Sequence, residues 1–259
     1  MIKIAVMNQK GGTGKTTSVL NIAGELTLRG KKVLVVDMDT QGNATDNLKL
    51  TELSGKTLPD AIDDTSISLA DCVCKTSTNN LYIIQGGAIL GRAFESIQKM
   101  IVGRDTVLKR LFSKFDGDYD FVLFDCSPSL ESVLNINVLV ATDYVLIPIR
   151  VDKNSIEGYG TMLDTIQLVR ETMNPNLRAL GLFMTAVESG ASLDREMLDN
   201  LPAMLPELAF KTSIRKNIDV RKAPIALVPL CYFNSRATGA QDYAALTDEI
   251  LERLANWRN

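Results

Sequence analysis

The chain has 259 residues, 46 % of them hydrophobic, with 28 basic and 31 acidic side chains, no histidine and a formal net charge of -3. These figures allow one large α/β domain over residues 1–259 with a sizeable core. They exclude imidazole chemistry, and they exclude a protein that wraps nucleic acid with its whole surface, which would be basic throughout. Cys72, Cys74, Cys126 and Cys231 lack the paired C-x-x-C spacing of a zinc site. No signal-peptide pattern precedes the first apolar run and no run reaches membrane-spanning length, so a soluble cytoplasmic protein with reduced thiols is expected.

Along the chain, short apolar runs alternate with helical patterns. Residues 2–7 (IKIAVM) read as a buried strand. A Gly-rich turn follows, then a helix over 15–29 closed by Gly30. Residues 32–37 (KVLVVD) form a second strand. Residues 51–80 are polar with weak signals, which predicts loops or a family-specific insertion. Further strands are predicted over 81–85, 119–125 (YDFVLFD), 144–150 (YVLIPIR) and 180–187 (LGLFMTAV), and helices over 105–115, 130–141 and 156–172. This alternation predicts the α/β class, with a mainly parallel central sheet and helices on both faces.

The first turn reads Gln9-Lys10-Gly11-Gly12-Thr13-Gly14-Lys15-Thr16-Thr17. Its glycines let backbone N–H groups turn inward around phosphate oxygens. The following helix adds its positive N-terminal end. Lys15 supplies a point charge to the β/γ-phosphates, and the Thr16 hydroxyl can ligate Mg²⁺. Gln9 stands where the ordinary G-x-x-x-x-G-K-[ST] pattern has its first glycine. Asp37 and Asp39 close the second strand, at the sheet edge where open α/β folds bind ligands. Either could instead cap the next turn. Asp125 closes the run FVLFD, the Walker B arrangement in which a carboxylate holds Mg²⁺. Cys126 fits a small buried residue.

The segment KGGTGKTT resembles the deviant Walker A motif of the ParA/MinD family of P-loop ATPases, and within that family the chain resembles the ParA (Soj-like) partition ATPases. The resemblance implies ATP and Mg²⁺ as cofactors, with nucleotide contacts from Lys10, Gly11, Gly12, Thr13, Gly14, Lys15, Thr16 and Thr17. It implies that Lys10 is the extra lysine that reaches across a dimer interface to the partner's phosphates. It implies that Asp39 positions or activates the attacking water, that Asp37 supports the Mg²⁺ shell, and that Thr16 and Asp125 hold the ion. The family's D-x-P-P-S reads Asp125-Cys126-Ser127-Pro128-Ser129 here, so a less rigid loop with little effect on Mg²⁺ is expected. A related nitrogenase-type iron protein would hold a cluster through cysteines, but the context of Cys72 and Cys74 does not match it.

Three later stretches also resemble ParA. In residues 149–159, Asp152 is expected near the nucleotide or the dimer face, or as a solvated loop acid. Residues 212–224 (TSIRKNIDVRKAP) resemble a loop that packs near adenine and continues onto a DNA-binding face, which assigns Arg215 to the nucleotide. Residues 239–251 resemble the closing helix. From 205 to 236, Lys211, Arg215, Lys216, Arg221, Lys222 and Arg236 face only Glu207 and Asp219, a local balance of +4 in an acidic chain. That asymmetry fits a sequence-independent phosphate-binding patch of Lys211, Lys216, Arg221, Lys222 and Arg236. Charge runs are also ordinary solvated surface. Relatives carry arginines where this chain has Asp219 and near Gly190, which moves any DNA contact onto Lys216, Arg221 and Lys222.

The functional expectation is a ParA-like ATPase for plasmid or chromosome partition. It forms an ATP-dependent sandwich homodimer, binds DNA nonspecifically and hydrolyses ATP when stimulated by a ParB-like centromere-binding protein. It is nucleoid-associated when ATP-bound. No helix-turn-helix precedes the phosphate loop, so operator-specific autorepression is not expected. The alternatives are a MinD-like membrane-cycling ATPase, a positioning ATPase for a non-DNA cargo, and metabolic ligases or reductases on the same fold. Residues 246–259 are amphipathic but carry three acids, so no membrane anchor is expected.

Overall fold

The computed structural model describes residues 1–115, 117–129, 132–150, 155–188 and 190–257, with the backbone alone over 155–158. Strands β1 (Ile2–Val6), β2 (Val33–Met38), β3 (Leu50–Glu52), β4 (Val73–Thr76), β5 (Leu81–Ile84), β6 (Phe121–Cys126), β7 (Tyr144–Ile149) and β8 (Arg178–Met184) form one sheet in the order β3-β4-β5-β2-β6-β1-β7-β8. The helices are α1 (Lys15–Leu28), α2 (Asn43–Asp46), α3 (Leu58–Asp63), α4 (Leu90–Gln98), α5 (Val107–Ser113), α6 (Val133–Ala141), α7 (Ser155–Thr172), α8 (Ser192–Met204), α9 (Asp219–Lys222), α10 (Leu230–Phe233) and α11 (Thr238–Asn256). From β5 to β8 all neighbours are parallel, and β3 and β4 add an antiparallel edge.

The period-2 geometry of a strand divides its side chains between two cores. In β6, Phe121 and Leu123 enter one core while Val122, Phe124 and Cys126 enter the other. Helices α1 and α11 cover the first face with Val19, Ile22, Leu26, Leu246 and Ile250. Helices α4 to α7 cover the second with Leu90, Ile97, Phe112, Val138 and Met162. Burial on both faces is why these strands read as near-continuous apolar runs. Among the described residues, no helix is long and apolar enough to cross a membrane.

Residues 51–80 are more than loops. They supply most of β3, all of β4, and α3, whose Leu58 and Ile62 enter the core. Arg92 of α4 pairs with Asp60 and Asp63 of α3 and ties this segment to the domain. The β3 edge is exposed and polar, so its sequence lacks an apolar strand signal.

Strand register assembles the site. Asp125 at the end of β6 lies opposite Val6 of β1 on one side and Asp37 of β2 on the other. The turn that leaves β1 therefore emerges beside two acids, all at the carboxyl edge of the sheet.

A tight contact of α1 generates a stability prediction. A Cβ at Gly24, inside α1, would stand 2.5 Å from Pro229 Cβ and 2.8 Å from Cys231 Sγ. Alanine gains about 1 kcal/mol of helix propensity over glycine, but overpacking costs about 1–3 kcal/mol. Gly24→Ala should therefore lower the urea midpoint, by up to about 2 kcal/mol in stability. A raised midpoint would show that residues 229–231 yield without cost.

Candidate functional site

The phosphate loop is fastened at both ends. Asn8 Nδ2 donates to Pro148 O at 2.8 Å, and Asn8 Oδ1 accepts from Lys10 N at 2.9 Å. Thr185 Oγ1 donates to Thr13 O at 2.9 Å, which holds the loop to the end of β8. Gly12 and Gly14 take φ of +75° and +84°, the left-handed region that glycine enters without strain. Helix α1 starts directly after Gly14 with no side-chain cap. Uncapped N–H groups at a helix start suit an anion.

Lys15 is buried, and its Nζ donates to Lys10 O at 3.0 Å. Burial lowers its pKa, while Asp125, Cys126 and Asp39 favour the charged form. An anionic phosphate oxygen is a stronger acceptor than that carbonyl. Thr16 and Thr17 follow on the first turn, both half-buried.

The three acids differ in how they are held. Asp37 Oδ2 accepts from Thr45 N at 2.9 Å and Thr45 Oγ1 at 2.7 Å, and Oδ1 accepts from Asp39 N at 3.1 Å. Burial raises the Asp37 pKa against these bonds. Both its oxygens are engaged in shaping the loop after β2, so its expected support of a Mg²⁺ shell runs through that loop. Asp39 Oδ1 accepts from Gln41 N at 3.0 Å, and its carbonyl accepts from Gly42 N at 3.0 Å and Gly87 N at 2.9 Å. Asp39 and Gln41 border a cavity of about 780 Å³ that reaches Phe94 of α4 and Ser127.

Asp125 stands apart. It is fully buried, and neither carboxylate oxygen has a hydrogen-bond partner. Burial pushes its pKa to about 8; the nearby Thr16 hydroxyl and Lys15 oppose the shift, and Asp37 and Asp39 add to it. A buried anion without donors is costly unless a cation meets it. Among the described residues, no group of three or more His, Cys, Asp or Glu could cage a metal. Mg²⁺ does not need one, because one or two carboxylates plus substrate phosphates hold it. Asp125 and the Thr16 hydroxyl fit that donor set.

The residues after Asp125 are pinned by Asn135, whose Nδ2 donates to Ser127 O, Ser127 Oγ and Ser129 O at 2.9, 3.2 and 2.7 Å. The serine that replaces the expected proline is thus itself a hydrogen-bond partner. Asn135, Thr45, Asn8 and Thr185 were not foreseen as site residues. Apart from the Asn8–Lys10 contact, their partners lie 6 to 172 positions away, outside any local pattern.

A second cavity, about 230 Å³, opens beside Gly12, Gly14 and Thr17 and is bordered by Arg215, Lys216 and Arg221. The Arg215 Nε and Nη2 atoms donate to the Asp242 carboxylate, the shortest bond being 2.6 Å. The basic stretch is less basic in space than in sequence. Lys216 pairs with Glu188 at 2.7 Å and Lys222 with Asp219 at 3.2 Å. Glu188 and Asp242 come from outside 205–236, so including them lowers the balance from +4 to +2. Lys211, Arg221 and Arg236 are exposed. Cys72 and Cys74 are buried in different cores. Asp152 lies outside the described residues.

A family described as an AAA domain matches residues 1–179. The sporulation initiation inhibitor protein Soj of Bacillus subtilis is 32 % identical over 95 % of this chain and 97 % of its own length. The chromosome-partitioning ATPase Soj of Treponema pallidum is 32 % identical over 96 % of this chain and 97 % of its own. Among solved structures, cobyrinic acid a,c-diamide synthase from Mycobacterium smegmatis, with a bound ATP analogue and magnesium, superposes with a TM-score of 0.81 at 28 % identity, covering 98 % of this chain and 96 % of that one.

Asp125 should leave a signature in the pH dependence of stability. A carboxyl whose folded pKa is raised binds its proton more tightly folded than unfolded. Its contribution is present at low pH and is lost as pH rises from 3.8 through about 8. One such proton gives a slope of at most about 1.4 kcal/mol per pH unit. Nucleotide-free protein should unfold at lower urea at pH 8 than at pH 6, and Asp125→Asn should flatten that slope. Equal slopes for the two proteins would contradict a protonated Asp125.

Proposed function

The chain belongs to the ParA/MinD family of deviant Walker-type P-loop ATPases, and from that premise we propose that it is a Soj-like partition ATPase, a single domain over residues 1–259. The observation that carries this reading is the buried, donor-free carboxylate of Asp125 beside Lys15 and Thr16 at an uncapped helix start. The family uses ATP and Mg²⁺, and Mg²⁺ bound there supplies charge neutralisation on the phosphates. Residues 11–17 cradle those phosphates, and Lys15 exchanges Lys10 O for a phosphate oxygen. Thr16 and Asp125 hold the ion. Asp39 orients the attacking water, with its backbone fixed by Gly42 and Gly87. Phosphoryl transfer depends on such placement more than on covalent chemistry. Arg215, held by Asp242, borders the base side of the nucleotide.

Lys10 reaches the partner's phosphates when two chains sandwich two ATP molecules, which offsets the repulsion between them. The homodimer then binds duplex DNA without sequence preference through Lys211, Lys216, Arg221, Lys222 and Arg236. A ParB-like centromere-binding protein stimulates hydrolysis and release. The protein is cytoplasmic and joins the nucleoid in its ATP state, with no membrane partner.

Retention on unrelated duplex DNA with ATP tests this reading. Wild type should be retained at low salt and released steeply as salt rises, with a slope near -0.9 per neutralised phosphate. Asp39→Ala keeps every phosphate ligand, so it should bind ATP, hydrolyse slowly and stay on DNA longer. Lys10→Ala should bind ATP but pass through, because a monomer offers about half the phosphate contacts. Retention of Lys10→Ala with the wild-type salt slope would remove the dimer from the account. Wild type that ignores DNA and sediments with anionic vesicles would put the membrane-cycling reading in its place.

A further inference from the structure

Helix α9 lies between the nucleotide cavity and the basic face. Val220 and Arg221 line the cavity beside Gly12, Gly14 and Thr17. Asp219 and Lys222, three residues apart, pair at 3.2 Å between Nζ and Oδ1. The other Asp219 oxygen accepts from Asn234 Nδ2 at 2.9 Å, and Asn234 Oδ1 in turn accepts from Arg236 N at 3.2 Å. Asn217 Oδ1 accepts from Asp219 N at 2.7 Å, and Asn217 Nδ2 donates to Thr238 Oγ1 at 2.6 Å, at the start of α11. One carboxylate, with 20 % side-chain exposure, therefore pairs with Lys222, and its bonds link α9 to the turn before α11.

We infer that Asp219 is a built-in counter-anion of the basic face, which occupies Lys222 in the free chain and sets the affinity and salt threshold for a phosphodiester backbone. The inference rests on the DNA-binding reading of that face. The pair with the exposed Lys222 contributes only about 0–1 kcal/mol to stability, and an asparagine at 219 can still accept the Asn234 bond. The acid's effect on a polyanion is larger. A phosphate that takes Lys222 must displace Asp219, and the carboxylate left beside it offsets the charge that Lys222 would bring to the phosphate. Removing that acid adds about one neutralised phosphate per subunit, worth a slope of about -0.9 and roughly an eightfold gain in affinity near 0.1 M salt.

The test uses the whole chain with ATP and Mg²⁺ on immobilised heparin and on a short duplex, over a salt gradient. Arg221 borders the nucleotide cavity, so the variants are Asp219→Asn, Lys222→Gln and the pair. Asp219→Asn keeps the side-chain shape and an acceptor for Asn234. It should elute from heparin at higher salt with a steeper slope, while its melting temperature and ATP affinity match wild type. Lys222→Gln should elute earlier. The pair should gain little over Lys222→Gln, because the cation that Asp219 occupies is gone. Wild-type elution of Asp219→Asn would overturn the inference, as would an equal gain in the Lys222→Gln background. A heparin shift with no duplex binding by any variant would overturn the DNA reading and keep the counter-anion. Intact duplex binding with no shift would do the reverse.

Discussion

The carboxyl group of Asp125 is buried and poorly satisfied in the folded chain, and the site is arranged around it. The β2–β6 register puts Asp37 beside it, and the β1–β6 register puts the phosphate loop on its other side. Asp37 is equally buried, yet three donors from Thr45 and Asp39 meet its oxygens. Nothing comparable meets Asp125. The fold thus supplies three donors to Asp37, while the Thr16 hydroxyl is the donor near Asp125. The cost falls on the nucleotide-free state, where Asp125 holds a proton and Lys15 lies against a loop carbonyl. A cation with its phosphates relieves both groups at once.

The loop after β2 connects that centre to the rest of the sheet edge. Asp37 shapes it through Thr45, and the Thr45 hydroxyl also accepts from Gly86 N at 3.0 Å. Asp39 O accepts from Gly42 and Gly87. Helix α4 starts three residues beyond Gly87 and walls the large cavity that Asp39 borders. A displacement of α4 therefore bears on the Asp39 backbone through the Gly87 hydrogen bond and a short turn. On the other side, Arg215 is set by Asp242 of α11, and α9 borders the same cavity beside Gly12 and Gly14.

Much of this was legible in the sequence because it rests on local pattern. The strands buried on both faces show as apolar runs, and Asp37, Asp39 and Asp125 are marked by ending such runs. The phosphate loop is marked by glycines between a strand and a helix. Other parts had no local signal. Strand β3 is an exposed polar edge and β4 buries only Cys74 and Thr76, so residues 51–80 look like loop although α3 carries core residues. The +4 balance over 205–236 counted neighbours in sequence, while Glu188 and Asp242 are neighbours in space. Asn135 and Thr45 are ordinary polar residues until the loops they pin are folded.

Proton release on nucleotide binding tests the central claim most directly. Calorimetric titration of Mg²⁺ and ATP into nucleotide-free protein at pH 7, in buffers of different ionisation enthalpy, counts the protons released. With its pKa raised to about 8, Asp125 is mostly protonated at that pH and must ionise when the cation arrives. The account predicts release approaching one proton per chain from wild type and much less from Asp125→Asn. Equal release from both proteins, or none from wild type, would contradict a carboxylate kept uncompensated for a metal–phosphate ligand.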